Sequence, residues 1–211
     1  MTDRKRVAIF GSTGSIGVQA LEIIGAHPER FSAEFLSCRE RIDLLLEQIE
    51  IFSPSAVCVA NPNDVRRISE KFPQLKIYVG EEGLCDAARA VDAEIMLNAL
   101  VGIAGLVPTL SALKSGRSAD SFRIALANKE TLVAGGRLVM RLSAETGIAI
   151  VPVDSEHSAI FQALSGNRSE DVREVVLTGS GGPFRTYTED ALNAVTKEQA
   201  LTHPTWQMGS K

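Results

Sequence analysis

The sequence predicts an α/β fold built on a doubly wound, mostly parallel sheet, and three observations carry that expectation. Val7-Ala8-Ile9-Phe10 is a short apolar run without alternation, the pattern of a strand buried on both faces. Strand-like and helix-like segments then alternate along the chain, which reads as successive right-handed crossovers. Between the first strand and the first helix stands Gly11-Ser12-Thr13-Gly14-Ser15-Ile16-Gly17, with glycines at a spacing of three and three.

A helix pattern covers residues 16–27, with Leu21 and Ile24 on its apolar side and Pro28 at its end. Candidate strands at 34–37, 56–59, 77–79 and 95–97 are separated by helical segments such as 42–52 and 65–72. The alternation continues with a helix at 106–114, a strand at 123–127, a helix at 131–146 and a strand at 148–153. Beyond Asp154, the apolar Ala159, Ile160, Phe161 and Leu164 read as helix core, and Val175-Val176-Leu177 reads as a further strand. No low-complexity linker or fixed-period repeat divides the chain. Motif content places a boundary near residue 150, with a nucleotide-binding domain over 1–150 and the start of a metal- and substrate-binding domain over 151–211. The end of the chain, residues 201–211, carries His203, Pro204, Trp206, Met208 and Gly209 without a closing helix, so truncation is expected.

Composition narrows the class. The 211 residues are 45% hydrophobic and 23% charged, enough apolar content for one good core or a large domain plus part of a second. A net charge of −4 with scattered Lys and Arg makes no basic stripe, which argues against a nucleic-acid partner. Cys38, Cys58 and Cys85 share no metal-binding spacing and read as reduced core thiols. The first residues lack the pattern of a signal peptide, and no run of eighteen apolar residues occurs, so a soluble cytoplasmic protein is expected.

Five polar constellations carry chemistry. The glycine turn suits a phosphate, because glycine lets an anion approach the backbone and the following helix offers unpaired N–H groups. Arg39 and Arg41 follow the second strand, where cationic groups accommodate the 2′-phosphate of NADP; each also fits a solvated helix start. Asn128-Lys129-Glu130 ends a predicted strand on the edge where open parallel sheets place ligands, and fits either a site or a solvated helix cap. Asp154-Ser155-Glu156-His157 follows another strand. Its two carboxylates can converge on Mg²⁺ or Mn²⁺, or Ser155 and Glu156 can cap a helix. Thr178-Gly179-Ser180-Gly181-Gly182 fits a phosphate nest or a plain loop.

Taken together, the ordered motifs GSTGSIG (11–17), LANKE (126–130), PVDSEH (152–157), LTGSGGPF (177–184) and HPTWQMG (203–209) resemble the 1-deoxy-D-xylulose 5-phosphate reductoisomerase family over nearly the whole chain. The resemblance implies a Rossmann-like NADPH domain followed by the start of an α/β catalytic domain. It implies NADPH-dependent rearrangement and reduction of 1-deoxy-D-xylulose 5-phosphate to 2-C-methyl-D-erythritol 4-phosphate, in isoprenoid precursor synthesis. Thr13, Gly14, Ser15, Ile16, Asn128, Glu130 and Gly209 would then bind NADPH. Lys129, Ser155, Glu156, Ser180 and His203 would hold the phosphorylated sugar, and Asp154 and Glu156 the Mg²⁺ or Mn²⁺. Lys129, Asp154, Glu156 and His203 form the catalytic set, while Trp206 and Met208 would belong to a mobile loop closing over substrate. The full-length protein would be a homodimer.

Three departures stand beside the resemblance. The family carries Gly, Lys or Arg, and Asn where this chain has Arg39-Glu40-Arg41, and 116–123 is a longer link than usual, expected to be a surface loop. The family's remaining phosphate-binding Ser, Asn and Lys, its third metal carboxylate and its C-terminal helical domain fall after residue 211, so activity of this chain alone is not expected. Two rivals are an NADP-dependent enzyme of the aspartate semialdehyde dehydrogenase type, which needs a nucleophilic cysteine in the substrate domain, and a non-catalytic nucleotide-binding fragment. All three cysteines precede the candidate substrate domain.

Overall fold

A computed structural model describes residues 4–179 and 181–202. The chain divides into two compact units, Met1–Asp154 and Ser155–Lys211. The first unit holds a seven-stranded sheet in the order β4-β3-β2-β1-β5-β6-β7, and every pairing in it is parallel. The strands are β1 (Lys5–Phe10), β2 (Phe31–Cys38), β3 (Ala56–Val59), β4 (Lys76–Val79), β5 (Ile95–Asn98), β6 (Arg123–Leu126) and β7 (Ala149–Pro152). The helices of this unit are α1 (Ser15–Ala26), α2 (Ile42–Phe52), α3 (Asp64–Lys71), α4 (Gly80–Ala90), α5 (Leu106–Leu113) and α6 (Glu130–Thr146).

The unbroken apolar character of β1 has its reason in two cores. Val7 and Ile9 pack with Leu21 and Ile24 of α1, Leu45 and Ile49 of α2 and Ile68 of α3. Ala8 and Phe10 point the other way, toward Ala87 and Ala88 of α4, Ala112 and Leu113 of α5 and Val139 of α6. The chain therefore winds outward from β1 to β4 with its crossover helices on one face. It crosses over through α4, resumes at β5 beside β1, and winds outward again with helices on the opposite face. Right-handed crossovers proceeding in opposite directions require that change of face. The order reverses between β1 and β5, so the loops leaving the carboxyl ends of those strands diverge and leave a crevice.

Small residues let α4 pack closely on β3 and β4 and α6 on α5. Helix α6 departs from helical geometry at Gly135 (φ −129°, ψ 16°), where a Cβ would sit 2.6 Å from Leu106 Cδ1 of α5. The expected surface loop at 116–123 is mostly exposed but pinned. The Arg117 guanidinium lies 4.4 Å from the centroid of the buried Phe122 ring and donates to the Arg89 carbonyl at 3.3 Å and to the Val91 carbonyl.

The second unit contains α7 (Ser155–Leu164) and two short helices, α8 (Glu189–Leu192) and α9 (Lys197–Leu201). Two expectations fail here. Residues 159–164 are helical, but α7 has no buried residue, and Phe161 and Leu164 are exposed. Val175, Val176 and Leu177 form no strand and are 55%, 71% and 63% exposed. A strand is defined by a neighbour that takes its N–H and C=O groups, and no described residue of this unit is in a strand. No described helix is long and apolar enough to cross a membrane.

Candidate cofactor and substrate site

The glycine turn is built from both sides. Gly11 leaves β1 with φ +92°, and a Cβ there would stand 2.7 Å from the Ala99 carbonyl oxygen. Gly17, in the first turn of α1, has no room either: a Cβ would overlap the Gly11 carbonyl oxygen and lie 2.5 Å from Ser12 Cα. Ser12 is fully buried between β2 and α2. Its N–H donates to the Ser37 carbonyl at 2.9 Å and its hydroxyl to Gln48 Oε1 at 2.8 Å, while Gln48 Nε2 donates to the Ser12 carbonyl at 3.0 Å. The Ser37 hydroxyl accepts the Gly11 N–H at 2.8 Å. Above this anchored base, Gly14 is exposed and forms the N-cap of α1. No side chain caps α1 and no acidic residue occupies its first turn, so the positive helix end is presented to an anion.

A cleft of about 550 Å³ opens beside the turn at the reversal point, lined by Gly11, Thr13, Gly14, Cys38, Arg39, Cys58, Gly80, Ala99, Leu100 and Val101 among others. Thr13 is buried, whereas Ser15 and Ile16 are exposed. The two arginines differ. Arg39 is exposed along the cleft, its Nε 3.4 Å from Glu40 Oε1, whereas Arg41 turns back and donates from Nη1 to the Thr13 carbonyl at 2.8 Å. Burial raises the thiols of Cys38 and Cys58, the latter pushed up to about 12 with a further contribution from Cys85, so both stay neutral. All three cysteines are free thiols.

The far side of the reversal is organised by two buried asparagines. Asn98 ends β5, and its Nδ2 donates to the Gly105 carbonyl at 2.9 Å and to Thr109 Oγ1 at 2.8 Å. Asn128 donates from Nδ2 to the carbonyls of Leu100 and Gly102, each at 2.7 Å, and its Oδ1 accepts the Thr131 N–H at 2.9 Å. A Cβ on Gly105 would reach 2.7 Å from Asn128 Cγ and 2.8 Å from Asn98 Nδ2, so glycine is what leaves room for both amides. At 2% exposure, the Asn128 side chain is committed to holding the β5–α5 loop against the start of α6.

That clamp sets Lys129 and Glu130 at the head of α6. Lys129 Nζ donates to Asp154 Oδ2 at 2.8 Å, joining the end of β6 to the end of β7 across 25 residues. Asp154 is the more enclosed partner, at 16% side-chain exposure against 47%. In the second unit, the exposed Ser155 and Glu156 open α7, and the Ser155 hydroxyl donates to Glu156 Oε2 at 2.8 Å. Exposed His157 follows them. Ser180, His203, Trp206, Met208 and Gly209 lie outside the described residues. Among the described residues, no group of three or more His, Cys, Asp or Glu side chains is placed to hold a metal ion.

Sequence patterning does not single out Ser37, Gln48, Asn98, Gly105 or Thr109, which shape this edge through hydrogen bonds and close packing. The available signal is weak: Ser37 and Asn98 are polar residues at or near the carboxyl ends of their strands, on the edge where loops must be anchored.

A family model described as 1-deoxy-D-xylulose 5-phosphate reductoisomerase matches residues 7–136, and one for the C-terminal domain of the same enzyme matches 150–211. A relative of that name from Geotalea uraniireducens is 48% identical over 98% of this chain, and one from Bacteroides fragilis is 46% identical over 99%. The chain spans 53% of the length of each. A solved reductoisomerase from Zymomonas mobilis in complex with NADPH superposes with a TM-score of 0.85 at 32% identity, over 94% of this chain and 52% of its own. A DOX-P reductoisomerase in complex with NADPH, fosmidomycin and magnesium superposes with a TM-score of 0.82 at 35% identity, over 97% of this chain and 52% of its own. With the parallel sheet, the phosphate-type turn and these matches in hand, the chain belongs to the 1-deoxy-D-xylulose 5-phosphate reductoisomerase family.

Proposed function

We propose that this chain supplies the NADPH-binding part, and the first substrate and metal groups, of an enzyme converting 1-deoxy-D-xylulose 5-phosphate to 2-C-methyl-D-erythritol 4-phosphate. The observation that carries the reading is the joint placement, on one sheet edge, of an uncapped helix N-terminus over a glycine turn and of the Lys129–Asp154 pair. The cleft fits a dinucleotide: a Cβ at Gly11 or Gly17 would fill or distort the cradle, and the apolar wall at Ala99, Leu100 and Val101 suits a ring system. Thr13, Gly14, Ser15 and Ile16 receive the diphosphate, and Asn128 and Glu130, with Gly209 beyond the described residues, form the other flank. When bound, NADPH supplies the hydride that reduces the rearranged aldehyde.

The donor chemistry at Asp154 and Glu156 fits a hard divalent cation, and Asp154 already receives a cation in the Lys129 ammonium. These two carboxylates would hold Mg²⁺ or Mn²⁺ with oxygens from outside the described residues. Such an ion supplies polarisation of the hydroxy-ketone oxygens. Lys129 balances the Asp154 charge and offers an ammonium to the anionic substrate. Ser155 orients Glu156, and Ser180 and His203 complete the substrate contacts. We place the full-length protein in the cytoplasm as a homodimer, with no nucleic-acid or membrane partner.

Two measurements test the reading. Gly14→Val should keep the fold, because the nearest atom to a Cβ there is the Gly11 carbonyl oxygen at an ordinary 3.4 Å, yet it should weaken NADPH binding more than about tenfold by nicotinamide fluorescence. The full-length protein should oxidise NADPH only with both 1-deoxy-D-xylulose 5-phosphate and a divalent cation present. Unchanged affinity in folded Gly14→Val removes the turn from the site, and no NADPH oxidation removes the activity.

A further inference from the structure

Thr13 stands where the glycine turn meets the loop between β2 and α2, and that loop reaches it through Arg41. Arg41 Nη1 donates to the Thr13 carbonyl at 2.8 Å. The peptide joining Thr13 to Gly14 is therefore held at both ends, because the Gly14 N–H donates to the Gly11 carbonyl at 3.2 Å on its opposite side. In a planar trans peptide those two bonds fix the orientation of the whole unit, and with it the direction of the N–H groups that follow. Arg39 has the opposite disposition, with its side chain 86% exposed along the cleft.

We propose that the two arginines divide the work. Arg41 is a positioning residue that locks the Thr13–Gly14 peptide for the cofactor's diphosphate, and Arg39 is the specificity-determining residue that meets the 2′-phosphate. The inference rests on the NADPH reading above and goes beyond it by separating affinity from selectivity. A group after the second strand reads the adenosine ribose, and of the two arginines it is Arg39 that lines the cleft. Arg41 acts on the diphosphate, and NADPH and NADH share that group.

Titrating the chain with NADPH and with NADH at low salt distinguishes the roles. Arg41→Ala should weaken both cofactors by the same factor, about tenfold, leaving their affinity ratio unchanged. Arg41→Lys keeps a cation and a donor, and should show the same uniform pattern with a smaller loss, which guards against a folding defect in the alanine variant. Arg39→Ala should lower NADPH affinity by about tenfold and leave NADH affinity as it was. The inference is overturned if wild type binds NADPH but either Arg41 variant changes the ratio, or if folded Arg41→Ala leaves both affinities intact. Failure of the wild type to bind either cofactor would instead remove the NADPH reading, and the division of labour with it.

Discussion

Gly14 and Gly17 stand three residues apart in one turn, yet a methyl group on each meets different surroundings. At Gly14 it finds one ordinary contact; at Gly17 it meets the backbone of Gly11 and Ser12, which is pinned below by Ser37 and Gln48 and cannot retreat. Gly17→Ala is therefore expected to cost about 2–3 kcal/mol of folding stability, while Gly14→Ala stays within about 0.5 kcal/mol of wild type. Urea unfolding followed by circular dichroism measures both, and a Gly17→Ala protein as stable as wild type would show that the turn relaxes freely. The spacing of the glycines was legible in the sequence; which of them serves packing and which serves access was not. That distinction depends on Ser37 and Gln48, brought to the turn from 26 and 36 residues away by the register of β2 and the face of α2.

At the scale of elements, the amino-terminal end of the sheet is tied across the same reversal that opens the cleft at the other end. Arg6 of β1 donates from its backbone N–H to Glu94 Oε2 at 2.7 Å, and from Nη2 to Glu94 Oε1 at 2.9 Å, just before β5 begins. Burial by itself would raise the Glu94 carboxyl. The hydrogen bonds and charge of Arg6 outweigh it, and Glu94 sits below the usual carboxylate range. A carboxyl depressed by folding contributes stability that is present above its unfolded pKa and lost as pH falls through its folded value. Glu94→Gln should accordingly lower stability by about 1–2 kcal/mol at pH 7, a figure reduced for the partial exposure of Arg6, and the gap from wild type should close below about pH 4. A gap that stayed constant from pH 7 to pH 3 would rule out the ion pair as its source. Elements with dense apolar character, such as β1 and α2, were readable in advance. Helix α4 was not singled out, because its buried face is made of Gly83, Ala87 and Ala88, which carry little apolar weight although their small size is what lets the helix lie close to β3 and β4. Val175-Val176-Leu177 failed in the opposite sense: apolar composition permits a strand, but a neighbour must complete it.

For the whole molecule, the distribution of burial decides what folds with what. Among the described residues, all the buried apolar ones, from Val7 to Ile148, fall in the first unit, along with every strand of the sheet and every residue assigned here to NADPH, while Ser155 and Glu156 open the second. Helices α7, α8 and α9 contribute no buried residue. Apolar burial is the dominant favourable term in folding, so the stability of the chain should reside in residues 1–154. We predict that a chain ending at Asp154 melts as one cooperative transition, within about 3 °C of the 211-residue chain, since a shift that small corresponds to less than about 1 kcal/mol for a domain of this size. It should also bind NADPH within about threefold, because the turn, the cleft and the Asn98–Asn128 clamp are retained and Gly209 alone of the residues assigned to NADPH is removed. Calorimetry and fluorescence titration read the two properties separately. A large drop in melting temperature with unchanged affinity would mean that residues after Asp154 carry a share of the folding stability. Loss of NADPH binding in a chain that melts normally would place an essential part of the cofactor site after Asp154, and would move the boundary between cofactor and substrate functions out of the junction between the two units.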